Sequence, residues 1–215
     1  MNATESIIKN KIIAIARGIY GEGLKELSLA LQNGGVSNIE VTFEQSDPEC
    51  IKKTCDSLNL LNNIKDLCVG AGTVLNLEQL YAAHSAGAKY IVSPSTNLDL
   101  IKATKAMNMV SIPGAITPTE IVYAKSAGAD FVKIFPAAPI GLDYIKAVCI
   151  PLSNICFIAN AGIEPDNIQD FFDAGFVAAG ISNYLCNKEL IHNHNWAEIE
   201  KRAKILSDIV AKYNK

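Results

Sequence analysis

The sequence predicts a (β/α)8 barrel that takes up residues 1–215 as a single domain. Three features predict it. Short apolar runs alternate with helix-periodic segments along the whole chain, the pattern that builds parallel sheets covered by helices. The same stop signal, Ala-Gly-Ala, ends helices at Ala86–Ala88 and Ala127–Ala129 and leads straight into apolar strands. The rival open, doubly wound sheet usually carries a Gly-x-Gly-x-x-Gly turn after its first strand, and "ARGIYGEG" lacks it.

The strand-like runs fall at 12–16, 39–43, 67–70, 90–92, 109–112, 131–135, 155–159 and 177–181, the strand number of the barrel. Between the first two, Leu24, Leu27 and Leu31 share one helical face; Trp196, Ile199, Ala203, Leu206 and Val210 do so in the last helix. In "TPTE", Thr117 is placed to cap a helix, Pro118 to open its first turn and Glu120 to complete a capping box. Asn76 and Asn195 have related cap chemistry. Glycines at Gly34–Gly35 and Gly175 supply further stops.

Composition excludes several classes of function. A net charge of −3 offers no attraction to nucleic acid or an anionic membrane. The opening "MNATESIIKNKIIAIARG" is too polar for a secretory signal, and no apolar run reaches transmembrane length. The six cysteines form no CxxC pair and no ligand spacing, so they read as reduced thiols of a cytoplasmic protein. His192 and His194 lack a further ligand nearby, and no metal site is expected.

One residue breaks the apolar pattern. In "FVKIF", Lys133 stands inside a strand otherwise made of Phe, Val and Ile. The period of two sends Val132 and Ile134 to the helices and points Phe131, Lys133 and Phe135 at the barrel axis. In "NIEVTF" the same rule turns Asn38, Glu40 and Thr42 inward. Barrel enzymes place their chemistry at the C-terminal mouth, so Lys133 and Glu40 are expected to share one pocket there. A desolvated lysine spends more time as the free amine, the nucleophile that condenses with a carbonyl, and Glu40 would move protons. The pattern alone serves a structural ion pair inside the barrel equally well.

Five motifs carry a family resemblance: "IEVTF" at 39–43, "VGAGTVLNLEQL" at 69–80, "IVSP" at 91–94, "IPGAITPTE" at 112–120 and "FVKIFPA" at 131–137. In this order and spacing the chain resembles the 2-keto-3-deoxy-6-phosphogluconate (KDPG)/4-hydroxy-2-oxoglutarate (KHG) aldolases from about residue 10 to 210. The resemblance implies a cofactor-free, metal-independent class I aldolase on a (β/α)8 barrel, commonly a homotrimer, acting on a small 2-keto acid. It assigns Lys133 to the Schiff base and Glu40 to general acid–base work. Thr73 matches the residue that holds the pyruvyl carboxylate, and Pro94 and Phe135 match residues that shape the pocket. One branch of the family carries an arginine four residues after the glutamate, where this chain has Glu44; another carries it at the end of the first strand, as Arg17 stands here. Arg17 is therefore assigned to the substrate anion.

The match departs from the family pattern at the phosphate loops. Where Thr-Gly-Gly is typical after the seventh strand, this chain has Asn160-Ala161-Gly162; after the eighth it has Gly180-Ile181-Ser182-Asn183 in place of a Gly-rich turn ending in serine. A Cβ at Ala161 or Ser182 narrows the approach of backbone to an anion and penalises positive φ. Asn160, Gly162, Gly180, Ser182 and Asn183 remain the expected substrate contacts. The substrate is expected to be KDPG, with KHG a possible second one; the galactonate epimer of KDPG or an unphosphorylated 2-keto acid is the alternative. A keto-acid-binding barrel without efficient catalysis is the reading from another class.

Overall fold

A computed structural model describes residues 1–213. The chain runs α1 (Ala3–Asn10), β1 (Ile12–Ala16), α2 (Gly21–Asn33), β2 (Asn38–Thr42), α3 (Cys50–Leu61), β3 (Cys68–Gly72), α4 (Leu77–Ser85), β4 (Tyr90–Val92) and α5 (Leu98–Ala106). It continues through β5 (Val110–Ile112), β6 (Gly114–Ala115), α6 (Pro118–Ser126), β7 (Val132–Ile134), α7 (Ala137–Ile140) and α8 (Leu142–Cys149). A 3₁₀ turn (Ile150–Leu152), β8 (Phe157–Asn160), α9 (Ile168–Asp173), β9 (Ala178–Ile181), α10 (Lys188–His192) and α11 (Trp196–Ala211) complete it.

All strand pairs are parallel, in the order β5-β4-β3-β2-β1-β9-β8-β7-β6. The nine segments make eight barrel strands, because β5 and β6 flank Pro113 and form one strand with its ladder broken there. Proline has no N–H to donate, which is the reason for the break. That strand also closes the ring. Ser111 O accepts from Asp130 N (3.1 Å) and Phe131 N (3.3 Å), and Pro113 O accepts from Lys133 N at 2.9 Å.

The local signals work as their chemistry requires. Thr117 and Glu120 form the capping box with Pro118 in the first turn, and the side chains of Asn76 and Asn195 accept from Gln79 N and Glu198 N. In the two near-repeats Gly87 and Gly128 take φ of 83° and 102°, the left-handed conformation that ends a helix and that a Cβ would strain. The strand beginning at 155 in the sequence pattern starts at Phe157, because Ile155 N is bound to Leu152 O (3.0 Å) in the preceding turn. The third strand runs on to Gly72, paired with Thr42.

The helix count exceeds the simple alternation. The added α1 is capped by an Asn2–Glu5 box and presents few apolar residues, so periodicity does not reveal it. It covers the N-terminal end of the barrel. Ile7, fully buried, joins Ile13, Tyr90, Val92, Phe131 and Ile158 in an apolar plug inside the ring, and Ser6 Oγ donates to Asn38 Oδ1 at 2.6 Å. The outer layer holds Ile39, Val41, Val132 and Ile134 against helices that include Leu24, Leu27 and Leu31, as alternation predicts. All six cysteines are free. No helix among the described residues is long and apolar enough to cross a membrane.

Candidate active site

Above the apolar plug the inward row changes character. β1 leads to Ile15 and Arg17, β2 contributes Glu40, β7 contributes Lys133, and β8 ends in Asn160. These side chains line a cavity of about 340 Å3 at the C-terminal mouth. Phe135, Gly162, Gly180, Ser182 and Asn183 line it too. The chemistry-bearing residues expected from the sequence therefore converge from five separate segments. A larger recess of about 630 Å3 lies at the opposite end, between the first residues of the chain and Lys89 and Lys105. Its Lys105 is already paired with Asp130 at 2.6 Å, and neither Lys133 nor Glu40 reaches it. Size does not choose the site; chemistry does.

Lys133 is 7% exposed and Glu40 2%. No nitrogen–oxygen approach within 4.0 Å joins them, and no described residue donates a hydrogen bond to the Glu40 carboxyl. The gap leaves room for a substrate or a bridging water. Burial holds the Lys133 pKa below its ordinary value of 10.5, with Glu40 pulling it up and Arg17 pushing it down. Burial likewise raises Glu40 above 4.5, opposed by the fields of Lys133 and Arg17. Desolvation thus favours the neutral amine and the neutral acid, and mutual attraction resists it. The Lys133 amine stands 4.7 Å from the centroid of the Phe135 ring, which shields it on one side.

Small residues make the space. A Cβ at Gly72 would stand 1.9 Å from Glu40 Oε1, so β3 can carry nothing larger beside that carboxyl. At Gly180 it would stand 2.2 Å from Asn160 Nδ2, which lets the Asn160 amide lie across β9. Ala161 adopts φ 76° despite its Cβ, a strain on the order of 1 kcal/mol, with its carbonyl tied to Ala138 N at 3.1 Å. Gly162 follows at φ 72°.

Thr73 and Pro94 do not line the cavity. Thr73 reaches it through Arg17, whose Nη2 donates to Thr73 Oγ1 at 3.2 Å. Pro94 lies beside β6, its carbonyl oxygen 2.3 Å from where a Cβ on Gly114 would be. Ile15, Ile163 and Glu164 line the cavity without having been singled out in the sequence. Ile15 could have been found from its parity with Arg17; loop residues such as Glu164 have no such period. Among the described residues no cluster of three or more His, Cys, Asp or Glu side chains is placed to hold a metal ion.

Fold and site together define a β/α barrel with a buried lysine and a buried glutamate at its C-terminal mouth. The model of the KDPG and KHG aldolase family matches residues 4–202, and the chain belongs to that family. It is 30% identical over 208 residues to the 2-dehydro-3-deoxy-phosphogluconate aldolase of Haemophilus influenzae, covering 96% of this chain and 95% of that one. It is 33% identical over 183 residues to the 2-dehydro-3-deoxy-6-phosphogalactonate aldolase of Escherichia coli, covering 82% and 85%. Among solved structures it superposes on a KDPG aldolase from Legionella pneumophila, with pyruvate captured as a covalent carbinolamine, at a TM-score of 0.82. That match has 28% identity over 93% of this chain and 95% of the other. The protein is an aldolase, a lyase.

Proposed function

We propose that the protein is a Schiff-base aldolase that cleaves KDPG to pyruvate and glyceraldehyde 3-phosphate, and KHG to pyruvate and glyoxylate. One observation carries the reading: the Lys133 amine and the Glu40 carboxyl, both desolvated, face one cavity at the mouth without neutralising each other by contact.

The free amine of Lys133 attacks the C2 ketone and gives a carbinolamine. Glu40, as the acid, donates a proton to the departing hydroxyl; water leaves and a cationic imine forms. The Glu40 carboxylate then takes the C4 hydroxyl proton, the C3–C4 bond breaks and its electrons flow into the imine as an enamine. The aldehyde departs. Protonation of C3 by Glu40 restores the imine, and water releases pyruvate and the lysine amine. Arg17 and Thr73 hold the pyruvyl carboxylate, Phe135 shapes the keto-acid end, and Asn160, Gly162, Gly180, Ser182 and Asn183 receive the aldehyde end.

A second reading takes one of two substrates. The galactonate epimer keeps the phosphate and is favoured by the 33% identity to a phosphogalactonate aldolase. An unphosphorylated 2-keto acid is favoured by the strained Ala161 and by Glu164 at the same end of the cavity. A carboxylate there opposes a dianionic phosphate. Assaying pyruvate release from KDPG, its galactonate epimer, KHG and the dephosphorylated sugar acid decides between them. Preference for KDPG by tenfold or more in kcat/KM supports the first reading, and equal turnover of the dephosphorylated acid overturns it.

The protein is further proposed to be a cytoplasmic homotrimer working in carbohydrate catabolism of the Entner–Doudoroff kind. Six free thiols support a reducing compartment. Exposed Leu77 and Tyr81 on α4, Leu98 on α5, and Val122 and Tyr123 on α6 supply an apolar flank that a neighbouring subunit would cover. Light scattering after gel filtration tests it; a monomer mass would refute the trimer.

A further inference from the structure

Thr73 sits where an unstrained β-branched residue would not. Its φ is 55°, in the left-handed region that disfavours a side chain branched at Cβ. Its neighbours are fixed: Gly72 O accepts from Phe43 N at 2.9 Å, and Val74 N donates to Val92 O at 3.2 Å. The left-handed turn between them swings the Thr73 carbonyl outward, where Gln45 Nε2 donates to it at 2.9 Å. Gln45 Oε1 in turn accepts from Gln79 Nε2 at 2.9 Å. Gln79, only 4% exposed on the first turn of α4, accepts from Leu75 N at 2.8 Å. Its own backbone N–H is held by Asn76 Oδ1 at 2.9 Å.

The direction of this relay is forced. Leu75 N–H can only donate, so Gln79 must present its oxygen there and its NH2 to Gln45. Gln45 must then turn its oxygen to Gln79 and its NH2 to the Thr73 carbonyl. Both ends of the relay are backbone groups of the turn that carries Thr73. On its other side Thr73 meets Arg17 Nη2 through its hydroxyl.

We infer that Gln45 and Gln79 are positioning residues that hold Thr73 left-handed, so that its hydroxyl and Arg17 stand ready for the substrate carboxylate. The inference rests on the proposed role of Thr73 and Arg17 in gripping the keto acid. Neither glutamine lines the cavity or touches the reacting atoms. Their effect should therefore fall on binding of the keto acid and leave the chemical step alone.

The test is borohydride trapping of pyruvate over a range of concentrations on wild type, Gln45→Ala, Gln79→Glu, Thr73→Ala and the Gln45→Ala/Thr73→Ala double variant. Gln79→Glu keeps the acceptor for Leu75 N–H but offers Gln45 no donor. The Gln45 amide then flips and turns its oxygen on the Thr73 carbonyl. Gln45→Ala and Gln79→Glu should each raise half-saturating pyruvate about fivefold with the maximal trapping rate within twofold, the effect of losing one oriented hydrogen bond. In the Thr73→Ala background Gln45→Ala should add nothing, because the group being positioned is gone. Unchanged half-saturation in both glutamine variants, or full additivity with Thr73→Ala, overturns the relay while leaving the aldolase reading intact. Absence of any adduct in the wild type removes the aldolase reading itself, and the relay with it.

Discussion

The two ends of one barrel interior obey different rules. At the N-terminal end the inward residues are Ile13, Tyr90, Val92, Phe131 and Ile158, closed by Ile7 of α1: a dry plug whose purpose is burial. A layer higher stand Glu40 on β2, Lys133 on β7 and Asn160 on β8, buried almost as deeply and without hydrophobic reward. Phe131, just before β7, and Lys133 on it are two residues apart, as are Ile158 and Asn160 on β8. The lower layer contributes stability, and the upper layer spends some of it on holding ionisable groups away from water. A residue's worth to the fold and its worth to the chemistry are thus separable along one strand.

Replacing Lys133 by Ala is the largest effect that comparison predicts. Turnover should fall on the order of 10⁴-fold, the loss typical of a covalent nucleophile. The melting temperature should stay level or rise; a large fall in stability would place Lys133 with the plug. Gly72→Ala comes next. Its Cβ would meet Glu40 Oε1 at 1.9 Å, so the carboxyl must move; about a 10²-fold drop in kcat is expected, with the fold retained by circular dichroism.

Ile7→Ala reverses the pattern. Emptying the plug should cost about 2–4 kcal/mol by urea titration while activity per folded molecule stays within twofold. If turnover fell tenfold instead, the two layers would be coupled and the separation would fail. The smallest effect is a pH dependence. The folded pKa of Lys133 lies below 10.5, so its burial cost is full below that folded value. As pH rises through the folded value toward 10.5, the folded amine is neutral while the unfolded one is still charged, and the cost shrinks. The stabilisation gained by Lys133→Met should therefore be greater at pH 7 than at pH 10, measured by urea midpoints. An equal gain at both would contradict the shift.

What was legible in the sequence follows from this layering. The strands and the inward parity of Glu40 and Lys133 were readable because period two survives even where one residue is charged. The caps at Thr117, Asn76 and Asn195 were readable because they are short-range chemistry. The helix α1 was not, since it buries little beyond Ile7 and Ser6, although its Asn2–Glu5 box was a usable signal. The sequence pattern ends the fifth strand at 112, and its continuation at Gly114–Ala115 beyond Pro113 was not legible, because two small residues carry no apolar period. The relay of Gln45 and Gln79 joins residues 34 apart through one turn, which no local period encodes. Glu164 reached the cavity on a loop, where length and turn geometry decide placement.

The central claim is that the Lys133 amine is aimed into the mouth and is uncharged often enough to condense with a ketone. Reduction with borohydride in the presence of pyruvate, followed by peptide mass mapping, tests it directly. A pyruvyl adduct confined to Lys133 is expected, forming faster as pH rises toward the lowered lysine pKa, and absent from Lys133→Ala. An adduct on another lysine, or none at any pH, would contradict it.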